Sequence, residues 1–181
     1  MNTYIAILRG INVTGHRKLL MAELRAALSK AGFQNVSTYI QSGNILFEHE
    51  AADQQALAQE ISAVIEKQFG YNDVPVIVLT CKELGQIHSN NPFTNKRNED
   101  IKFLHVTFLS ESPAKEHLST ISTLTYPPEE FDISGKAIYL FCPNGYGSTK
   151  LNNNFFENKL KVTATTRNWK TVNKLLKLLN N

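Results

Sequence analysis

The strongest constraint on this chain is a repeated order of elements: the succession of short apolar runs and amphipathic stretches in residues 1–80 recurs in residues 81–181. Such a repeat narrows the fold class, because each copy must bury the same kinds of apolar face in the same sequence. In the first copy, residues 4–8 form an apolar strand-like run, and a polar, glycine-bearing loop follows over 9–18. Leu20, Leu24, Ala27 and Leu28 then recur at helical spacing, and Gly32 closes that helix. Residues 36–41 and 44–47 read as two strands around a Ser42-Gly43 hairpin turn. A second helix starts at the N-cap Asp53, carries Leu57, Ile61, Val64, Ile65 and Phe69 as its apolar stripe, and stops at Gly70. Residues 75–80 close the unit as a strand, which gives the ferredoxin-like order β-α-β-β-α-β.

The second copy follows a connecting segment, 81–100, expected to hold a short helix and then the turn Ser89-Asn90-Asn91-Pro92. Residues 103–109 read as a strand and 113–124 as a helix; Ser134-Gly135 stands where Ser42-Gly43 stood, followed by a strand over 137–141. A helix over 150–160, a short strand over 162–165 and an added helix from near Asn168 complete the chain, the last with Trp169, Val172, Leu175, Leu176 and Leu179 on one face. The expected fold is therefore α+β, a tandem duplication of a ferredoxin-like unit with an extra C-terminal helix. Its first lobe covers 1–80; the linker helix, second lobe and C-terminal helix fill 81–181.

Composition excludes several classes. No apolar run approaches the roughly 20 residues of a membrane helix, and the N-terminus enters a strand without a basic start and apolar stretch, so a cytoplasmic protein with no membrane association is expected. Cys81 and Cys142 share no metal-type spacing and fit two reduced thiols. The five histidines form no zinc pattern, and no motif asks for a metal or a cofactor. The net charge is +3 but uneven: from Lys150 onward seven basic residues face one acidic residue, so residues 1–149 carry −3. Such asymmetry marks either a solvated helix face or a surface for anionic partners.

The loop from Arg9 to Lys18 is the most suggestive stretch for chemistry, since a strand enters it and a helix leaves it. Backbone N–H groups at the helix start can bind an anion that Arg9, Arg17 and Lys18 neutralise. Gly10 and Gly15 have phosphate-loop spacing, but His16-Arg17 replaces the required Lys-Ser/Thr, which argues against a nucleotide triphosphatase. His16, beside these cations, is the histidine to test as a proton carrier. Ser42 lacks the surroundings of a nucleophile, and its recurrence as Ser134 favours a turn; Gln41 and Asn44 are the more individual residues there. In the second copy the loop 144–150 offers Ser148 or Thr149 as an N-cap and Lys150 near the helix start. Thr166 or Asn168 can cap the last helix, leaving Arg167 to reach a phosphate or carboxylate. Glu129 and Glu130, after Pro127-Pro128, read as a solvated loop.

Leu8-Arg9-Gly10-Ile11-Asn12-Val13, Tyr39-Ile40-Gln41-Ser42-Gly43-Asn44, Pro143-Asn144-Gly145-Tyr146-Gly147 and Ala164-Thr165-Thr166-Arg167-Asn168-Trp169 together resemble a bacterial family of uncharacterised proteins, domain of unknown function 1697. Thr14 stands where a glycine is frequent in that family. The resemblance implies tandem ferredoxin-like architecture and transfers no catalytic residue.

Four functional expectations follow. The first is binding of a small phosphate- or carboxylate-bearing anion by Arg9, Asn12, His16, Lys18, Gln41, Asn44, Lys150, Arg167 and Asn168. The second is RNA binding by the sheets, for which Tyr4 and Phe47 are thin aromatic support. The third is an enzyme of unassigned reaction on a small substrate, with His16 as the candidate proton carrier and no catalytic residue assigned, and the fourth is a structural or partner-binding protein that uses the last helix as an interface. The sequence sets no oligomeric state.

Overall fold

In a computed structural model describing residues 1–179, the chain divides into two compact units, Met1–Leu84 and Gly85–Asn181. The division falls inside the linker helix. The first unit contains β1 (Asn2–Leu8), α1 (Met21–Lys30), β2 (Gln34–Tyr39), β3 (Asn44–His49), α2 (Gln54–Phe69) and β4 (Val76–Thr80). Its sheet is antiparallel with strand order β2-β3-β1-β4, the ferredoxin-like arrangement. Alternation along β1 and β3 puts Tyr4, Ala6, Leu8, Ile45 and Phe47 on one face, where they pack with Leu24 and Leu28 of α1 and Leu57, Ile61 and Ile65 of α2. Ile5, Ile7, Leu46, Ile77 and Leu79, on the opposite face, are buried as well. Leu20 is not part of the α1 stripe: it is the helix N-cap and is exposed, because the first inward position is Leu24, one turn later. Asp53 caps α2 by accepting from the Gln55 and Ala56 amides, and Gly70 ends it in the left-handed conformation.

After α3 (Cys81–Ser89) and the single turn α4 (Pro92–Asn95), the second unit repeats the order with β5 (Leu104–Leu109), α5 (Lys115–Ile121), β6 (Glu130–Ser134), β7 (Ala137–Phe141), α6 (Asn153–Leu160) and β8 (Ala164–Asn168). Its sheet order, β6-β7-β5-β8, matches the first. Ile121, Phe156 and Leu160 from the helices pack with Leu109, Ile138, Leu140 and Ala164 from the sheet. The added helix α7 (Trp169–Leu179) packs against β5 and β8, burying Trp169, Val172 and Leu175. On α3, His88 stacks on Trp169 at 5.0 Å and hydrogen-bonds Asn173, while the Ile87 carbonyl accepts from the Tyr139 hydroxyl at 2.8 Å.

Two local expectations need correction. α6 begins at Asn153, and its cap is Asn152, which accepts from the Phe155 amide, rather than Ser148 or Thr149. The Thr149 hydroxyl is already committed, accepting from the Leu151 amide and donating to Glu129. The two Ser-Gly pairs also differ in geometry. In the first unit Tyr39 pairs with Asn44, so residues 40–43 form the turn; in the second, Ser134 pairs with Ala137 and only Gly135-Lys136 turn.

Candidate functional site

The loop after β1 is held by one side chain. Asn12 donates from Nδ2 to the Leu19 and Gln41 carbonyls, at 2.9 and 2.8 Å, and accepts from the Leu19 amide at 2.9 Å. It thereby ties the loop to the start of α1 and to the β2-β3 turn, and both its N–H groups are used internally. The backbone of Gly10, Asn12, Thr14, Gly15 and Arg17 lies in the left-handed region, which costs roughly 1–2 kcal/mol at each non-glycine residue. Those conformations persist because the Asn12 bonds, the Asn12 amide to the Arg17 carbonyl and the His16 amide to the Val13 carbonyl fix the loop.

The loop presents cations. His16 and Lys18 are exposed, Arg9 and Arg17 half-buried. The Arg17 guanidinium lies over Gly10, where a Cβ would stand 3.6 Å from its Nη1, and Nη1 makes a long 3.4 Å bond to the Asp73 carbonyl. Gln41 is exposed and lends its carbonyl to Asn12. Asn44 is fully buried, donating to the Tyr39 carbonyl and the Ser42 hydroxyl, so it closes the turn instead of facing solvent. In the first unit, then, Arg9, Asn12, His16, Lys18 and Gln41 belong to one joined loop and turn, with Asn12 as its latch and Asn44 beneath it.

In the second unit Lys150 is exposed and lines a cavity of about 240 Å³ with Tyr126, Glu129, Asn144 and Ser148. Glu129 is half-buried there and accepts from the Thr149 hydroxyl at 2.7 Å, which corrects its reading as solvated; Glu130 is exposed as expected but opens β6 instead of lying on a loop, and pairs with Arg97. The link to Thr149 joins positions far apart in sequence, so no local pattern announces it. Arg167 is 9% exposed within β8 and donates from Nη1 to the Thr166 carbonyl, which corrects the expectation of an outward-reaching side chain. Burial pulls its guanidinium down to about 10, with Tyr146 working in the opposite direction. Asn168 accepts from the Thr171 amide at 2.8 Å and so caps α7. Beside this strand, His105 stacks on Tyr146 at 4.8 Å, and burial lowers its pKa despite the Phe103 carbonyl. Thr107, Thr166 and Asn153 form a hydroxyl-to-amide chain, with 2.7 Å at each step. Among the described residues, no cluster of three or more His, Cys, Asp or Glu side chains is placed to hold a metal, and no helix is long and apolar enough to cross a membrane.

Residues 1–139 match the family described as "Protein of unknown function (DUF1697)". A solved structure, that of the conserved bacterial protein SP0830 from Streptococcus pneumoniae, is similar over 98% of both chains with a TM-score of 0.74 and 24% identity, a likeness of fold. No curated protein matches the sequence.

Proposed function

The chain belongs to this family of proteins of unknown function, and on the geometry of its own first loop we propose that it binds a small phosphate- or carboxylate-bearing anion. The observation that carries the reading is the Arg17 guanidinium held over side-chain-free Gly10, in a latched loop that also exposes His16 and Lys18. A fixed loop binds without first losing the entropy of ordering itself, and a guanidinium beside bare backbone suits a planar or tetrahedral oxyanion. The anion gains more from Arg17 than the long bond to the Asp73 carbonyl does, because charge-assisted hydrogen bonds are about twice as strong as neutral ones. We place the protein in the cytoplasm, a reading supported by Cys81 and Cys142, which form no disulfide.

The RNA reading gains no support from the sheets. Base stacking needs an open face with aromatics, whereas Ile5, Ile7 and Leu46 in one sheet and Val106, Phe108 and Tyr139 in the other are buried.

Thermal unfolding against a panel of inorganic phosphate, AMP, acetyl phosphate and citrate, with sodium chloride matched for ionic strength, tests the proposal. A binder present at about 100 times its Kd adds about 2.7 kcal/mol to stability, an easily measured shift. Arg17→Ala and Lys18→Ala should abolish it. If no anion in the panel exceeds the salt control, or the double variant keeps the full shift, the proposal fails.

A further inference from the structure

β6 ends its sheet, and among the described residues no strand pairs with its outer edge. In an antiparallel ladder, successive residues turn their N–H and C=O groups alternately toward and away from the neighbouring strand, so every second β6 residue offers both groups to the open side. β6 pairs with β7 in unbroken register from Glu130 to Ser134. The edge strand β2 of the first unit, by contrast, carries a register shift between Gln34 and Ser37, a device that blunts an edge against further pairing. β6 has neither a bulge nor a proline, so it remains a continuous template.

Beside that edge lie two concavities. One, of about 480 Å³, is lined by Leu124, Tyr126, Pro127, Pro128 and Phe131; the other, of about 330 Å³, lies between α5 and β6 and is lined by Leu118, Ile121, Leu124, Phe131 and Ile133. They share Ser122, Leu124 and Phe131, so they form one groove, and both volumes fall in the range of roughly 300–1,000 Å³ usual for ligand clefts. Phe131 and Ile133 are half-buried on the groove side, while Glu130, Asp132 and Ser134 alternate with them and are exposed, Glu130 at the margin of the first concavity and Asp132 at that of the second. Glu130 already holds a guanidinium, that of Arg97, at 2.7 Å. Asp132, next along the same face, makes no hydrogen bond or ion pair among the described residues.

We propose that this groove takes an extended peptide segment of a partner protein, added to β6 as a fifth strand, with an apolar-basic-apolar alternation. The open backbone of β6 requires a strand as its complement, and strand geometry then sets the pattern. Side chains two residues apart point the same way, so two apolar side chains enter the two halves of the groove beside Phe131 and Ile133. The residue between them points to the opposite face, beside Asp132, where a lysine or arginine makes the pair that Arg97 makes with Glu130. A second copy of this chain is a poorer occupant, because antiparallel pairing of β6 with itself about Phe131 sets Glu130 against Asp132, and about Asp132 sets Asp132 against itself.

The test uses the full chain and a pool of fluorescein-labelled hexapeptides with a central lysine flanked by valine, isoleucine, leucine, phenylalanine or tyrosine, read by fluorescence anisotropy. Binding above a pool with aspartate at the centre is expected. Ser122→Trp, an exposed position shared by both concavities, should fill the groove and weaken binding at least tenfold. Asp132→Lys should weaken the lysine peptides about two- to fivefold, the worth of an exposed ion pair, and improve the aspartate pool. N-methylation of the peptide amide that faces β6 should abolish binding. The proposal is overturned if no lysine peptide binds better than its aspartate counterpart, if Ser122→Trp leaves affinity unchanged while circular dichroism shows the native fold, or if light scattering finds a dimer that Ser122→Trp dissociates and no peptide displaces.

Discussion

Gly43→Ala should destabilise the protein far more than Gly135→Ala, although both replace the glycine of a Ser-Gly pair. At Gly43 φ is +80°, and an added Cβ would stand 2.7 Å from Leu8 Cβ and 2.7 Å from Ile11 Cδ1. Leu8 is a strand residue whose amide donates to the Gly43 carbonyl at 2.8 Å, so the two backbones are pinned and cannot draw apart without losing that bond. The left-handed conformation costs an alanine about 1–2 kcal/mol, and forcing a methyl into a packed site adds about 1–3 kcal/mol. Together these give about 2–5 kcal/mol. At Gly135 φ is +57°, and an added Cβ meets nothing within 4 Å, so only the backbone cost remains. It is partly offset by the about 0.4–1 kcal/mol that alanine gains over glycine through the unfolded chain. Because that offset and the backbone cost are common to both variants, their difference isolates the steric part, about 1–3 kcal/mol. Urea unfolding measures it, followed by far-ultraviolet circular dichroism for both units and by the fluorescence of Trp169, the one tryptophan, for the second. Equal destabilisation by the two substitutions, or a larger effect at Gly135, would refute the account of Gly43 as a close-approach glycine.

Two further outcomes are expected. Asn12→Ala removes three hydrogen bonds and strands the Leu19 amide and the Leu19 and Gln41 carbonyls; with partial rescue by water, a loss of about 1–3 kcal/mol and faster proteolysis within residues 9–18 should follow, and a native cleavage rate would contradict the latch. Stability should also fall on the alkaline side. Burial, with Glu129 nearby, raises the Cys142 thiol from 9.0 to about 11, and burial raises Tyr139 from 10.0 to about 12. With folded values above unfolded ones, the stabilisation is complete below about pH 9 and is lost as pH rises toward 11 and 12. The slope is about 1.4 kcal/mol per pH unit for each group, and Cys142→Ala should flatten the first part of the decline in urea midpoints measured from pH 8 to 11.

The candidate residues show where a sequence reading stops. The loop 9–18 and its cations stand out locally, because a polar glycine-bearing stretch between a strand and a helix is visible without a fold. The work done by Asn12 is not visible. Its partner Leu19 meets it only when the loop folds back on itself, and Gln41 only when β1 and the β2-β3 turn come together. Arg167 reads as a free cation after Thr166 and is instead buried, since β8 extends through Asn168 and places alternate residues inward. Glu129 reads as solvated and is held by Thr149, a contact between segments that no periodicity connects.

The two sheets and their helices were legible in the order of residues along the chain. Apolar spacing of two and of three to four residues is a property of neighbours along the chain, and its repetition was enough to imply the shared strand order. Packing sets which polar side chains are spent on holding loops and which remain exposed. It also leaves β6 at the end of its sheet, beside a groove. Both depend on which surfaces meet, and hydrogen bonds such as those of Asn12 or Thr149 form between residues whose proximity exists only after folding.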